Sequence, residues 1–240
     1  MRPSILGRDA SGELIPLAST PAENHFADAA SVPFNQSRIK RCFDIIVSLS
    51  MIIVFLPLLV MTAALLWWTD GAPLTFGHER VGKDGRPFKC LKFRTMVRDS
   101  QEVLTELLQA DPAAREKWET CFKLDNDPRI IPGIGNFLRR TSLDELPQLL
   151  NVLRGDMSIV GPRPVTREEL GKYGPYCDHY KAVKPGLTGP WQIGGRSTVA
   201  YEARVSLDVW YVENACLRTD LSILLSTTTG FVTGRLDGAQ

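Results

Sequence analysis

Two neighbouring carboxylates, Asp144 and Glu145, stand in the stretch TSLDELPQ, directly after the arginines Arg139 and Arg140. Ionised carboxylates repel each other, so their adjacency calls for a local reason. Either the pair caps a helix, or it forms a reactive pair that faces a substrate carrying negative charge. These two residues are the first candidates for a catalytic site.

The helix predicted for DELPQLLNVLRG supplies the capping interpretation. Ser142 and Glu145 fit a capping box, but Pro147 would then fall where the helix needs a backbone N–H group. A helix that begins at Asp144 places Pro147 in the first turn, where no N–H group is needed. Asp144 is therefore the better N-cap, and the helix N-terminus would hold its carboxylate ionised. Local pattern alone leaves the capping and catalytic roles both open.

Arginines on loops could balance the charge of a phosphate group beside these carboxylates. Prolines bracket Arg163 in GPRP and stiffen its backbone, and two glycines before Arg196 in IGGRS let the backbone approach a ligand closely. Each arginine alone is typical of a surface ion pair. Together with the carboxylate pair, they indicate phosphoryl chemistry assisted by a divalent cation.

The composition excludes several other kinds of protein. The 240 residues include 28 basic and 27 acidic side chains, a net charge of +1 that argues against nucleic-acid binding through a broad basic surface. The five cysteines and three histidines are scattered, without a CxxC pair. This pattern argues against a disulfide framework and against a metal site built from histidine or cysteine.

An apolar stretch, residues 45–68, carries no charged residue and would be roughly 36 Å long as a single helix. Pro57 stands at its midpoint, where it removes a helix hydrogen bond and favours a kink. Physics alone allows two topologies, because prolines are tolerated in spanning helices. The segment either spans the bilayer as a kinked helix, or bends at Pro57 and returns to the same face. Basic residues before it place its N-terminal end in the cytoplasm in both cases.

The remaining pattern predicts an α+β fold that is mainly helical. Residues 1–37 read as a disordered tail, 38–69 as the membrane segment and 70–240 as the catalytic domain. The stretch FGHERVGKDGRPFKCLKFRTM predicts a β-hairpin with its turn at KDGR. Helices are predicted over 98–122, interrupted at Asp111-Pro112, and near 200–213 and 219–230, with amphipathic helices at the membrane surface.

Five motifs occur in an order that resembles one known family. They are KRCFD before the apolar segment, FKCLKFRTM, DPRI, LRRTSLDELPQLLNVLRGDMSIVGPRP and KPGLTGPWQIGGRS. The chain resembles the monotopic bacterial sugar-phosphate transferases, also called phosphoglycosyl transferases. The likeness covers roughly residues 38 to 235, and the combination of SLDELPQ with GDMS and GPRP is its most specific part.

The resemblance implies an activity and a set of site residues. Members transfer a hexose-1-phosphate from a UDP-sugar to undecaprenyl phosphate, release UMP and begin the assembly of exopolysaccharide, capsule or O-antigen repeat units. On this chain, Asp144 would be the nucleophile and a ligand of Mg²⁺, and Glu145 would assist it. The remaining positions are phosphate-binding Arg139, Arg163 and Arg196, and the membrane-entry residues Lys40, Arg41 and Asp44.

The resemblance also implies a topology and partners. Its membrane segment is re-entrant, broken at Pro57, with both ends and the catalytic domain on the cytoplasmic face of the bacterial inner membrane. Leu56 stands where relatives often have serine before this proline. The expected partners are a UDP-sugar, undecaprenyl phosphate and membrane lipid, with no nucleic acid, and a homodimer is left open.

The sugar and two rival functions remain open. The sequence GPWQIGGRS is closest to the subgroup that uses UDP-galactose or UDP-glucose, and a UDP-N-acetylhexosamine donor with the same chemistry is the alternative. A membrane-anchored hydrolase that uses the two carboxylates is one rival. A bitopic scaffold whose C-terminal domain lies outside the cytoplasm is the other.

Overall fold

The computed structural model describes residues 6–8, 14–16, 34–121, 124, 127–193 and 201–232. These residues form mainly helices and short strands, so the prediction of a mainly helical α+β fold is confirmed. The helices are α1 (Arg38–Asp70), α2 (Ser100–Ala110), α3 (Pro112–Cys121), α4 (Ile134–Thr141), α5 (Gln148–Arg154), α6 (Arg167–Gly171), α7 (Cys177–Lys181), α8 (Pro190–Ile193), α9 (Tyr201–Asn214) and α10 (Leu217–Val232). The strands are β1 (Leu6–Arg8), β2 (Leu14–Pro16), β3 (Thr75–Val81), β4 (Pro87–Phe93), β5 (Ser158–Val160) and β6 (Gly186–Thr188).

The chain divides into two compact units. Of the described residues, those within 1–53, 78–90 and 148–232 form the first unit, and those within 54–77 and 91–147 form the second. Each unit contains a cluster of buried apolar residues. The cluster in the first is Val81, Val165, Leu170, Tyr173, Tyr180 and Val205. The core of the second is Leu66, Phe93, Ile131, Ile134 and Leu138.

Helix α1 is the element of the described chain that is long and apolar enough to cross a membrane. It has 33 residues, about 50 Å at helical rise, and Pro57 lies inside it. Most of its large apolar side chains are exposed, Val54 by 71% and Trp68 by 93%, so they have no protein core to pack against. The helix is continuous through Pro57, which corrects the expected break: the loss of one hydrogen bond does not interrupt the helical backbone here.

The N-terminal end of α1 is fixed inside the first unit by a buried ion pair. Lys40 Nζ lies 2.6 Å from Asp220 Oδ2 on α10 and 3.2 Å from Asp44 Oδ1 one turn along α1. It also donates to the carbonyl of Val160 at 3.3 Å. Tyr211 donates its hydroxyl to Asp220 Oδ1 and to the same carbonyl. Both charges of the pair are thus surrounded by hydrogen-bonding partners, which a buried ion pair requires.

Asp44 ties the same helix to strand β5. Its Oδ1 atom accepts hydrogen bonds from Ser158 Oγ at 3.0 Å and from the backbone N–H of Ile159 at 3.1 Å. Strand β5 runs parallel to β6, and Ser158 is opposite Gly186. A side chain on Gly186 would collide with the backbone of Gly161, so only glycine allows these two segments to approach this closely.

The C-terminal end of α1 is fixed in the second unit by two arginines. Arg94 donates to the carbonyls of Asp70 and Gly71 at 3.1 and 2.8 Å and forms an ion pair with the Asp70 carboxylate at 2.7 Å. Arg98 donates twice more to the Asp70 carbonyl. Cations near a helix C-terminus stabilise the carbonyls that have no partner within the helix.

Several predicted elements occur where the pattern placed them. Strands β3 and β4 form the expected hairpin, with a short 3-10 turn at Lys83–Gly85 inside KDGR. The boundary between α2 and α3 lies at Asp111-Pro112, and Asp111 Oδ1 accepts from the first free N–H groups of α3. In the segment predicted as a disordered tail, β1 and β2 pair antiparallel, and its other residues before 34 lie outside the described ranges.

The buried ion pair predicts a large stability effect for Asp220→Asn. This change leaves the Lys40 ammonium buried without its closest counter-charge, which costs about 3 kcal/mol and lowers the unfolding temperature by roughly 6 to 12 °C. The measurement is thermal unfolding of the purified chain in detergent. Asp178→Asn is the matched control, since Asp178 pairs with Lys181 at an exposed site and should shift the temperature little. An unchanged unfolding temperature for Asp220→Asn would contradict the importance of this pair.

Candidate active site

The carboxylate pair lies in a tight turn between α4 and α5. Helix α4 ends at Thr141, and Ser142 follows in the left-handed conformation, with φ of 56°, where its N–H bonds back to the carbonyl of Arg139. Leu143–Glu145 then form one turn of 3-10 helix. Helix α5 begins only at Gln148, so Asp144 is not its N-cap and the predicted capping role is wrong. Pro147 immediately precedes the helix, where its missing N–H group costs nothing.

Asp144 is held in a buried position beside a lysine. Lys92 on β4 lies 3.9 Å from Asp144 Oδ2 and 2.7 Å from Glu145 Oε1. Burial raises the pKa of Asp144 to about 6, and the charge of Glu145 adds to this, while Lys92 and Arg139 oppose it. The expectation that a helix N-terminus holds this carboxylate ionised is thereby corrected, since burial has the larger effect.

Arg139 belongs to the same charged group. Its Nε donates to Thr95 Oγ1 at 2.9 Å, which orients the guanidinium from the residues that follow β4. Burial lowers the pKa of Arg139, while the charges of Asp144 and Asp127 raise it. The arginine stays charged, because even a lowered guanidinium pKa is far above neutral. Arg139 therefore lies close enough to Asp144 for their charges to interact, and its predicted role in binding phosphate stays a prediction.

The loop DPRI adds a second oriented arginine to this unit. Arg129 forms a bidentate ion pair with Asp127, with Nη2 2.6 Å from Oδ2, and its guanidinium lies 4.7 Å from the ring centre of Trp118. Although burial opposes it, the contact with Arg129 lowers the pKa of Asp127. The charges of Asp127, Arg129 and Arg139 influence one another, so this loop is part of the electrostatic surroundings of Asp144.

Lys92 is the residue that sequence reasoning missed. The strand sequence PFKCLKF places Lys92 on the same face as buried Cys90, because side chains alternate along a strand. The Lys92 side chain is only 33% accessible, and a lysine enclosed in this way usually has an acidic partner. The alternation of side chains along the strand therefore could have indicated a functional lysine at position 92. The sequence alone did not predict which acidic residues it contacts.

Arg163 lies in the first unit, against an aromatic ring. Its guanidinium is 4.7 Å from the ring centre of Trp191, and the guanidinium of Arg204 is 4.9 Å from the same ring. The cations are thus oriented by contact with the indole, which attracts positive charge to its faces. Prolines on both sides of Arg163 fix the backbone that presents it.

A buried carboxylate supports the loop that carries Arg163. Asp208 on α9 accepts a hydrogen bond from the Tyr173 hydroxyl at 2.7 Å and from the backbone of Arg163. Burial raises the pKa of Asp208 to about 7, while the contact with Tyr173 and the charges of Arg204 and Arg163 oppose that rise. Two carboxyl groups of the first unit, Asp208 and Glu169, thus lie close enough to Arg163 and Arg204 for their charges to interact.

The other predicted site residues have structural roles or lie outside the description. Lys40 and Asp44 hold the start of α1, as described above, and Arg41 donates to the carbonyls of Val152 and Leu153 at the end of α5, both at 2.6 Å. Arg196, predicted to bind phosphate, lies outside the described residues.

A magnesium ion is compatible with the carboxylate pair. Among the residues that the structure describes, no cluster of three or more His, Cys, Asp or Glu side chains could hold a metal ion by itself. Magnesium is usually bound by one or two carboxylates, with substrate phosphates and water as its other ligands. Asp144 and Glu145 fit that arrangement, in which a bound phosphate supplies the remaining oxygens.

Comparison with known proteins gives a consistent result. The family model described as "Bacterial sugar transferase" matches residues 35–234. The UDP-galactose-lipid carrier transferase of Erwinia amylovora is 55% identical over 201 residues, which are 84% of this chain and 41% of that protein. The undecaprenyl-phosphate galactose phosphotransferase of Salmonella typhimurium is 52% identical over 84% of this chain and 41% of its own length.

A shorter relative matches over most of its length. The exopolysaccharide production protein ExoY of Rhizobium meliloti is 47% identical over 78% of this chain and 83% of that protein. By contrast, the chain spans about two fifths of the length of the Erwinia and Salmonella relatives. Since the family model covers most of the 240 residues, this chain belongs to the bacterial sugar transferase family.

Proposed function

We propose that this chain transfers a hexose-1-phosphate from a UDP-sugar to undecaprenyl phosphate, with release of UMP, and so begins the assembly of a polysaccharide repeat unit. The observation that carries the proposal is the buried carboxylate of Asp144, flanked by Lys92, Glu145 and Arg139. The names of the Erwinia and Salmonella relatives favour galactose as the sugar.

The first chemical step uses Asp144 as a nucleophile. One oxygen of its carboxylate forms a bond to the β-phosphorus of the UDP-sugar, and the bond from that phosphorus to the bridging oxygen breaks, so UMP leaves with the electron pair. A pKa of about 6 leaves roughly nine tenths of the carboxylate ionised at pH 7. It also makes the oxygen more basic than that of an ordinary aspartate, and nucleophilic strength rises with basicity.

The second step returns the enzyme to its starting state. A phosphate oxygen of undecaprenyl phosphate attacks the phosphorus of the aspartyl-phosphosugar, and the bond to the Asp144 oxygen breaks. The carboxylate is regenerated, and the lipid now carries the sugar through a diphosphate. Splitting one transfer into two displacements lets a single buried group serve both substrates in turn.

Lys92 and Glu145 control the charge around this carboxylate. The Lys92 ammonium lies closer to Glu145 than to Asp144, and it is also the largest influence that lowers the pKa of Asp144 against the effect of burial. Because of burial, Asp144 is still more basic than an ordinary aspartate. Lys92 also offsets part of the negative charge of Asp144 and Glu145, which reduces their repulsion of a diphosphate. Glu145 is therefore a positioning and charge-balancing residue in this proposal.

Magnesium and arginines would neutralise the substrate. Asp144 and Glu145 would hold the magnesium ion, which would supply charge stabilisation for the leaving group. Arg139 can form forked hydrogen bonds to phosphate oxygens beside the carboxylate, and the family resemblance assigns the same function to Arg163 and Arg196. Lysine cannot replace these arginines, because an ammonium lacks the planar fork.

Membrane attachment through α1 is the topology we propose, with a bend at Pro57 inside the continuous helix and both of its ends on the cytoplasmic face. Its exposed apolar surface supports contact with lipid. Lys40, before the apolar stretch, contacts Val160 and Asp220, which come long after it in the chain. Residues on both sides of the apolar segment therefore belong to one compact unit. A single-pass helix would place them on opposite faces of the bilayer, which argues against the bitopic scaffold.

The covalent step makes Asp144→Asn the decisive variant. It should form no phosphosugar adduct with UDP-galactose and lose UMP release by roughly four or more orders of magnitude, because it removes the nucleophile. The measurements are intact-protein mass spectrometry and UMP detection with undecaprenyl phosphate present. The variant should stay folded, since burial already disfavours the charge that it removes.

Glu145→Gln is the matched control for this experiment. It keeps the nucleophile, so it should still form the adduct, at a reduced rate. Normal turnover by Asp144→Asn would exclude the proposed mechanism. If the donor were hydrolysed at the full rate without any lipid acceptor, the hydrolase would be favoured instead.

Metal removal tests the role assigned to the carboxylate pair. Treatment with EDTA should slow UMP release by roughly a hundredfold or more, because a divalent cation supplies several kcal/mol of charge stabilisation. Added Mg²⁺ should restore the rate, and Glu145→Gln should need a higher Mg²⁺ concentration for half of its maximal rate. An unchanged rate in EDTA would remove magnesium from the mechanism.

Cysteine labelling tests the topology. Cys42, before the apolar stretch, and Cys216, after it, are both exposed, whereas Cys90 is buried. In single-cysteine variants, a membrane-impermeant maleimide should label both exposed positions in inside-out vesicles and neither in right-side-out vesicles. Cys90 should resist labelling in both preparations until the protein is denatured. Labelling of Cys42 and Cys216 from opposite sides would establish a single-pass helix.

A further inference from the structure

We propose that Arg41 and Lys184, which converge beside Gly155, form a subsite for the phosphate of a bilayer lipid headgroup. The subsite rests on the membrane attachment proposed above, and it is independent of the transfer chemistry. Its residues all belong to the first unit. It gives Arg41 a second role besides its contacts with α5.

Arg41 presents a fixed cation at this position. Its two terminal nitrogens each donate to one carbonyl at the end of α5, both at 2.6 Å. A guanidinium carries five N–H groups, so these two bonds leave three donors for another acceptor. The contacts also hold the side chain in one orientation, which lowers the entropy lost when a ligand binds.

Lys184 approaches the same point from the segment before β6. A Cβ atom on Gly155 would lie 3.4 Å from Lys184 Nζ and 3.7 Å from Arg41 Nη2. The two cationic groups therefore lie within about 7 Å of each other, a separation that one phosphate can bridge with a different oxygen to each group. Gly155 has a φ of +96°, a conformation that favours glycine, and the missing side chain leaves the gap open.

The two cations have no closely matched counter-charge. Within the described part of the chain, Lys184 Nζ makes no ion pair or hydrogen bond. Four charged groups surround this lysine, namely Arg41, Lys83, Asp44 and Asp156. Asp44 already accepts from Ser158 and Ile159, and Asp156 accepts from Asn151 at 3.2 Å. Burial and the charges of Arg41 and Lys83 lower the pKa of Lys184, while Asp44 and Asp156 oppose this change without reversing it.

The position of Arg41 on α1 indicates what the anion is. The uncharged apolar stretch begins at Ile45, four residues later, so Arg41 lies about 6 Å before it along the helix. Ile46 and Leu49, in the next turns, expose apolar side chains. If that surface contacts acyl chains, Arg41 lies at the level of the headgroups. Lipid phosphates are the most abundant anions at this depth and attract basic side chains.

Amine footprinting of the wild-type chain tests this subsite without relying on activity. The protein in maltoside micelles, which contain no phosphate, is acetylated with and without added phosphatidylglycerol, and each lysine is quantified by peptide mass spectrometry. At a lipid concentration about ten times the dissociation constant, acetylation of Lys184 should slow by roughly tenfold. Lys181, exposed on neighbouring α7, is the matched control and should change little. In Arg41→Gln, the protection of Lys184 should weaken.

Further arms of the experiment separate the sources of the phosphate. Equal slowing at Lys184 and Lys181 would indicate only a diffuse surface charge and would overturn the subsite. Protection by inorganic phosphate at the same concentration, or by undecaprenyl phosphate alone, would assign the anion to another source and overturn the headgroup proposal. Asp144→Asn should show the same protection as the wild type. A failure of the transferase mechanism would therefore leave the protection of Lys184 unchanged. Membrane attachment is measured in a separate experiment, by flotation of the protein with lipid vesicles.

Discussion

Both units of this protein contain buried charged side chains, and the need to compensate these charges is the constraint on which the rest of the structure depends. Lys40 and Asp220 meet at 2.6 Å inside the first unit, and further polar groups surround them, so both remain compensated. Asp144 is buried as well, but its nearest cation, Lys92, is closer to Glu145. Burial raises the pKa of both Asp220 and Asp144, so the direction of the pKa shift does not distinguish the two sites. What distinguishes them is the set of partners: Lys40 and Tyr211 enclose Asp220, whereas Asp144 shares Lys92 with Glu145.

The same constraint explains how a long helix can keep many of its apolar side chains exposed. Lys40 and Asp44 hold one end of α1 against β5 and α10, and Asp70 holds the other end through Arg94. Leu59, Ala63 and Leu66 pack in the core of the second unit, and many of the other large apolar side chains of the helix are exposed. The proline in the middle does not need to break the helix for such an arrangement.

The elements that could be predicted from the sequence are those whose structure is determined by a few adjacent residues. The hairpin turn at KDGR and the boundary at Asp111-Pro112 depend on a few adjacent residues, so periodicity and turn residues predicted them. The left-handed Ser142 was not predictable, because a serine rarely adopts that conformation, and the turn it begins moved Asp144 away from the expected N-cap. Partners far apart in sequence were also beyond reach: Lys92 and Glu145 are separated by 53 positions, and Lys40 and Asp220 by 180.

The environment of Arg163 extends the argument to a residue whose proposed role is to bind phosphate. An arginine on a free loop would lose much conformational entropy on binding a phosphate, which weakens the complex. Here the prolines fix its backbone, Trp191 supports its guanidinium, and Asp208 accepts from its backbone. Asp208 in turn accepts a hydrogen bond from Tyr173 and interacts with the charge of nearby Arg204, so buried residues hold the loop in place. Because these contacts exist before any ligand arrives, the cost of ordering Arg163 belongs to folding, and more of the interaction energy is available for binding phosphate.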